Sequence, residues 1–96
     1  MSTYIVLLNW TQQGIENVKD SPARLNTARA AVEAAGGKLS DFYMTIGQYD
    51  MVVVIEAPND ETFAKAMLAI ASHGMIRSQT LKAFTEEEYR SIVGSL

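Results

Sequence analysis

The chain has 96 residues, with 8 Lys+Arg against 11 Asp+Glu for a net charge of −3, and no cysteine. That length is one domain, residues 1–96, which buries roughly 60–65% of the surface its unfolded form exposes. The missing cysteines exclude disulfides, thiolate nucleophiles and Cys-ligated metal sites. The acidic balance, with bases scattered from Lys19 to Arg90, argues against nucleic acid as a partner, because phosphate binding needs a concentrated basic face.

Thr3 to Trp10 reads as a first strand, apolar on both parities. It follows the initial Met with no basic segment and no small-residue cleavage site, and no apolar run is long enough to cross a bilayer. A cytoplasmic protein without membrane contact is the expectation. Thr11 to Asp20 is a polar connection with room for a short helical turn. Ser21-Pro22 opens a helix with Ser21 as N-cap. Leu25, Ala28, Val32 and Ala35 recur at helical spacing, and Gly36-Gly37 ends the run.

Leu39 to Ile46 alternates, with Phe42, Met44 and Ile46 on one face and Asp41, Tyr43 and Thr45 on the other. Gly47-Gln48 turns the chain into Tyr49 to Glu56, a second strand apolar on both faces. Ala57-Pro58-Asn59-Asp60 stops it and caps a helix whose buried stripe is Phe63, Met67, Ile70 and Ala71, ended by Gly74. Met75 to Phe84 is the most polar strand and reads as an edge. Thr85-Glu86-Glu87-Glu88 is a capping box. Behind it Tyr89, Ile92, Val93 and Leu96 follow at helical spacing.

The order is strand, helix, strand, strand, helix, strand, tail helix. It predicts an α+β, ferredoxin-like βαββαβ fold: a four-stranded antiparallel sheet with both main helices on one face. The first and third strands, the doubly apolar ones, take the centre. Placing Ile5, Leu7, Val52 and Val54 under the helices leaves Tyr4, Val6, Leu8, Trp10, Tyr49, Met51, Val53 and Ile55 on the open face. A patch of that size exceeds what a monomer exposes. A homo-oligomer joined through the open face, most simply a dimer, is therefore expected. The competing expectation is that the C-terminal helix folds back over the face within one chain.

The run from Tyr4-Ile5-Val6-Leu7-Leu8-Asn9-Trp10-Thr11 to Arg77-Ser78-Gln79-Thr80-Leu81-Lys82-Ala83-Phe84 resembles the GYD-domain family. The most specific elements are Gly14-Ile15, Asp20-Ser21-Pro22, Gly47-Gln48-Tyr49-Asp50 and Val52-Val53-Val54-Ile55-Glu56-Ala57-Pro58. The Gly-Tyr-Asp that names the family appears with Gln48 interposed. The resemblance implies a subunit related to the dimeric α/β barrels. It implies no established activity, and no catalytic residue can be carried over. Fold-level relatives range from cofactor-free monooxygenases, isomerases and haem enzymes to amino-acid-sensing modules, so fold alone does not decide function.

The ligand-binding candidates are Asn9, Trp10, Tyr43, Tyr49, Asp50 and Arg77. Tyr49 and Asp50 stand at the mouth of a central strand, where Asp50 can accept a proton or a hydrogen bond. Turn chemistry, with Asp50 accepting from nearby backbone N–H groups, is the plainer reading. Trp10 can stack on a ligand that Asn9 orients, or it is interface or core. Arg77 reads either as an anion ligand or as an ion-pair partner of Glu56. His73, the only histidine, sits at a helix end and reads as structural. No P-loop, dinucleotide glycine motif, catalytic triad or metal spacing is present, so no cofactor, no metal and no catalytic residue is assigned. The function expected is a binding or auxiliary module holding a small apolar or amphipathic ligand. The alternative is a cofactor-independent monooxygenase or isomerase acting on an aromatic or enolisable substrate.

Overall fold

The computed structural model describes residues 1–96. Four strands, β1 (Ser2–Trp10), β2 (Lys38–Met44), β3 (Met51–Ala57) and β4 (Ile76–Ala83), form one antiparallel sheet in the order β2-β3-β1-β4. Helices α2 (Ser21–Ala34) and α3 (Asp60–Ala71) cover one face. A short α1 (Gln12–Glu16) follows β1, and α4 (Glu86–Gly94) ends the chain. This is the ferredoxin-like α+β topology that the element order predicts. The β-branched runs of β1 and β3 make them the central pair, and polar β4 is an edge.

Local signals set the helix ends. Asn59 caps α3, its side-chain oxygen accepting from the Thr62 N–H at 2.9 Å, and Asp60 and Glu61 complement the dipole in the first turn. The expected capping box is present on α4: Thr85 N–H donates to Glu88 at 2.9 Å, and Glu88 N–H donates to the Thr85 hydroxyl at 3.2 Å. The start of α2 differs from expectation by one residue. A 3-10 turn, Val18–Asp20, runs straight into the helix, so Ser21 is already helical and Asp20 holds the cap position without a side-chain bond.

The loop between β2 and β3 is longer than a two-residue turn. Thr45 N–H donates to Asp50 O at 2.8 Å and the Thr45 hydroxyl to Tyr49 O at 2.6 Å, closing the loop outside the ladder. As a result β2 stops at Met44 and β3 begins at Met51, each two residues inside the expected bounds. Ile46, expected on a strand face, projects into solvent at 99% exposure.

The face assignment of the central strands is the reverse of the expectation. Tyr4, Val6, Leu8, Met51, Val53 and Ile55 are buried under the helices. The open face carries Ile5 and Leu7, paired with Val54 and Val52, all only partly covered. Both parities are apolar, so alternation could not choose. The aromatic and longer side chains lie on the helix side, where the Tyr4 ring stacks on Phe63 at 3.9 Å. Tyr4 also has an outlet for its hydroxyl, which donates to the Asp60 carboxylate.

The competing expectation for the C-terminal helix is not met: every residue of α4 is exposed, and α4 covers no part of the sheet. The molecule measures 49 × 30 × 17 Å. Its radius of gyration, 14.3 Å, exceeds the value of about 12.5 Å for a compact chain of this length.

An apolar cavity between the sheet and helices as candidate functional site

Large side chains do not fill the layer between sheet and helices. On its inner side α2 presents Ala28 and Ala31 between Leu25 and Val32, where bulkier residues would reach the strands. A cavity of about 350 Å³ remains, floored by Leu8, Met51, Val53 and Ile55 and roofed by α2 and α3. Of its 19 lining residues 15 are hydrophobic, so its chemistry rests on the four that are not: Ser21, Arg24, Thr27 and His73. This size and character suit a small-molecule site.

The topology gathers most of the polar groups at one end. Trp10 ends β1 and stands opposite Ile76, the first residue of β4. The start of α2 brings Ser21 and Arg24 to that end, and the segment after α3 brings His73 and Met75. A second cavity of about 270 Å³ shares Trp10, Ser21, Leu25 and Phe42 and continues the space outward past Pro22 and Met44. The wall of this end is firmly held. Thr11 N–H donates to Met75 O at 3.1 Å, and its hydroxyl donates to Gly74 O at 2.6 Å and accepts from Gly14 N–H at 3.0 Å. Gly14 lies so close to the Met75 carbonyl that no side chain fits there. Arg24 Nη1 donates to Asn17 O at 3.0 Å and Nη2 to Gly14 O at 3.4 Å, anchoring the guanidinium on the turn before α2.

The six residues expected at a site divide between the two faces of the sheet. Asn9, Trp10 and Asp50 meet at the end of β1. Trp10 N–H donates to Asp50 Oδ2 at 3.0 Å, while Asp50 N–H is shared between Asn9 Oδ1 at 3.1 Å and Leu8 O at 2.9 Å. Of the six only Trp10 lines the cavity. Tyr43, opposite Val52, is exposed on the open face. Tyr49 donates its hydroxyl to Gln79 at 2.7 Å, and Gln79 pairs with Leu7. Arg77 stands opposite Asn9, whereas Glu56 stands opposite Thr3 at the other end of the sheet. An Arg77–Glu56 ion pair within one chain is thereby ruled out by the antiparallel register.

Arg24 and Thr27 are absent from the residues that the sequence singles out, and His73 reads there as a helix end alone. The available signal was Ala28 on the helix face expected to be core, with a second small residue, Ala31, near it and a basic residue one turn before. A separate polar cluster lies at the opposite end of the sheet. Asp60 accepts from Tyr4 and pairs with Lys82 at 2.9 Å. Burial and then the Asp60 bond raise the Tyr4 hydroxyl above its ordinary value, while the Tyr4 and Lys82 bonds lower the Asp60 carboxyl. No three His, Asp or Glu side chains converge to hold a metal. No helix is long and apolar enough to cross a membrane.

The family model of the GYD domain matches residues 4–93. A Thermus thermophilus protein described as a glutamine synthetase and cystathionine beta-lyase binding protein is 37% identical over 84 residues, spanning 86% of this chain and 88% of the relative. Among solved structures, a feast or famine regulatory protein of Mycobacterium tuberculosis complexed with L-methionine superposes with a TM-score of 0.67 at 13% identity. That match covers 88% of this chain and 51% of the other, so the chain spans about half the length of that regulator. A Thermus thermophilus protein of known structure matches with a TM-score of 0.56 at 22% identity, covering 88% and 95% of the two chains. At these identities the solved structures speak to the fold alone.

Proposed function

Since the chain belongs to the GYD-domain family, we propose that it serves as a small-molecule-binding or auxiliary module, with the ligand held in the cavity between the sheet and α2 and α3. The cavity itself carries the reading: about 350 Å³ of largely apolar space, with its polar groups few and mostly at one end.

The same proposal makes the working form a homodimer of the dimeric α/β-barrel type, in the cytoplasm, joined through the open sheet face. The chain exposes 6409 Å², against about 5,400 Å² for a compact monomer of its mass. The excess, on the order of 1,000 Å², is shared between the open face and the fully exposed α4 and compares with the roughly 800 Å² that each partner buries in a standard interface. Ile5, Leu7, Val52 and Val54 would form its centre, with the exposed Tyr43 and Leu81 beside them. Native mass spectrometry of the purified protein tests both halves. A dimer carrying additional mass supports the proposal, and a bare monomer contradicts it.

The likeness to a relative described as binding two enzymes supports the auxiliary form of the reading, in which the module docks on enzymes of metabolism. Exposed α4, with Tyr89, Ile92 and Val93 outside any core, is the surface such a partner would use. Mixing the protein with purified glutamine synthetase and with cystathionine beta-lyase from its own source, followed by native mass spectrometry, tests this. A new complex supports it, and separate species count against it.

A further inference from the structure

We infer that the cavity takes an amphipathic anion: a small organic molecule whose carboxylate lies against Arg24 and whose chain or ring fills the apolar interior. This rests on the cavity being a binding site and adds the chemical class of its ligand.

Three observations converge. First, the polar groups of the cavity lie mostly at one end, with Thr27 on α2 the exception. Ser21, Arg24 and His73 stand with Trp10 at the outer end, whereas Leu39, Val53 and Ile55 line the interior. The ligand must therefore be apolar over most of its length and polar at one tip. At about 30 Å³ per water-sized group, 350 Å³ holds roughly a dozen such groups.

Second, the sign of the charge is unbalanced. No Asp or Glu lines the cavity, and Arg24, the one Lys or Arg in its wall, forms no ion pair. The Arg24 guanidinium uses two of its five N–H donors on carbonyl oxygens. Those bonds orient the group without neutralising it. Donors remain for a carboxylate, which a guanidinium meets with two parallel bonds.

Third, the first turn of α2 lies at the same end. Ser21 in that turn also lines the cavity and brings a hydroxyl donor to the end that Arg24 occupies. A cationic tip would meet Arg24 with like charge. A neutral hydroxyl would leave that charge unanswered.

Calorimetric titration with octanoate, octanol and octylamine compares one apolar chain under three tips. Octanoate is expected to bind at least ten-fold more tightly than the other two. Arg24→Gln should bring octanoate down to the level of octanol, Arg24→Lys should restore part of the difference, and Ala31→Phe, which fills the cavity, should abolish binding of both. If octanol or octylamine equals octanoate on the unmodified protein, and Ala31→Phe still blocks them, the anion inference is overturned while the cavity remains a site. If none of the three binds, or Ala31→Phe changes nothing, the cavity reading fails with it. The comparison among ligands on the unmodified protein needs no variant to fold.

Discussion

Tyr4 lies beneath α3 with its ring parallel to Phe63, and its hydroxyl reaches the Asp60 carboxylate beside Lys82. Tyr4→Phe keeps the stack and removes one hydrogen bond, so it should lower stability by about 1 kcal/mol in urea denaturation. The same contact makes stability depend on pH at both extremes. The Tyr4 hydroxyl and the Lys82 ammonium have raised values in the folded state. Their contribution is present below the ordinary unfolded values and lost as pH rises through the folded ones. Asp60 is lowered, so its contribution is present above the ordinary carboxylate value and lost as pH falls through the folded one. Tyr4→Phe should flatten the alkaline limb of a melting-temperature profile, and Asp60→Asn the acid limb. Gly14 is a sterically enforced position: Gly14→Ala drives a methyl into the Met75 carbonyl. It should cost roughly 1–3 kcal/mol, read as a lowered melting temperature. Among the residues of the cavity, the small ones were the least legible. Ala28 and Ala31 fit a buried helix face as well as any apolar pair, and only the facing strands show that they leave space.

The elements themselves could be read because each carries its own punctuation. Asn59 and Thr85 cap where expected, and Gly36 and Gly74 follow their helices with φ of 84° and 77°. The start of α2 misled because Ser-Pro is a good N-terminal signal in isolation, while the preceding 3-10 turn had already begun the winding. The β2–β3 loop misled because Tyr49 and Asp50 have strand-like neighbours, yet Asp50 directs its N–H to Leu8 and Asn9 across the sheet. The side of β1 and β3 facing the helices was not legible at all, since Tyr-Val-Leu and Ile-Leu are equally apolar alternatives. The exposed α4 depends on its cap more than the other helices do. Nine residues without packing hold helicity poorly. Thr85→Ala, which removes about 1 kcal/mol from the helix terminus, should accelerate amide exchange across residues 86–94 while leaving exchange in β1 and β3 unchanged.

For the whole molecule, the small core is the governing fact. Only 12 of 96 residues are buried, fewer than a free-standing domain of this length would be expected to need. The proposed dimer would complete the core from outside. A lysine at the middle of the open face tests that directly. Val54→Lys should weaken association by roughly two orders of magnitude, since an unpaired charge in an interface costs several kcal/mol. Light scattering after gel filtration should then show monomer at concentrations where the unmodified protein is dimeric, with far-ultraviolet circular dichroism unchanged because Val54 lies outside the helix-side core.

Trp10 is the chain's single tryptophan, and it forms part of the cavity wall. The molecule thus has a built-in optical reporter: its entire indole emission comes from the place where a ligand would arrive. With no thiol anywhere in the sequence, one cysteine introduced at exposed Ile46 would accept a dye at that position alone. Energy transfer from Trp10 to that dye would report the distance between the cavity wall and the β2–β3 loop, and the intensity of Trp10 would follow the filling itself.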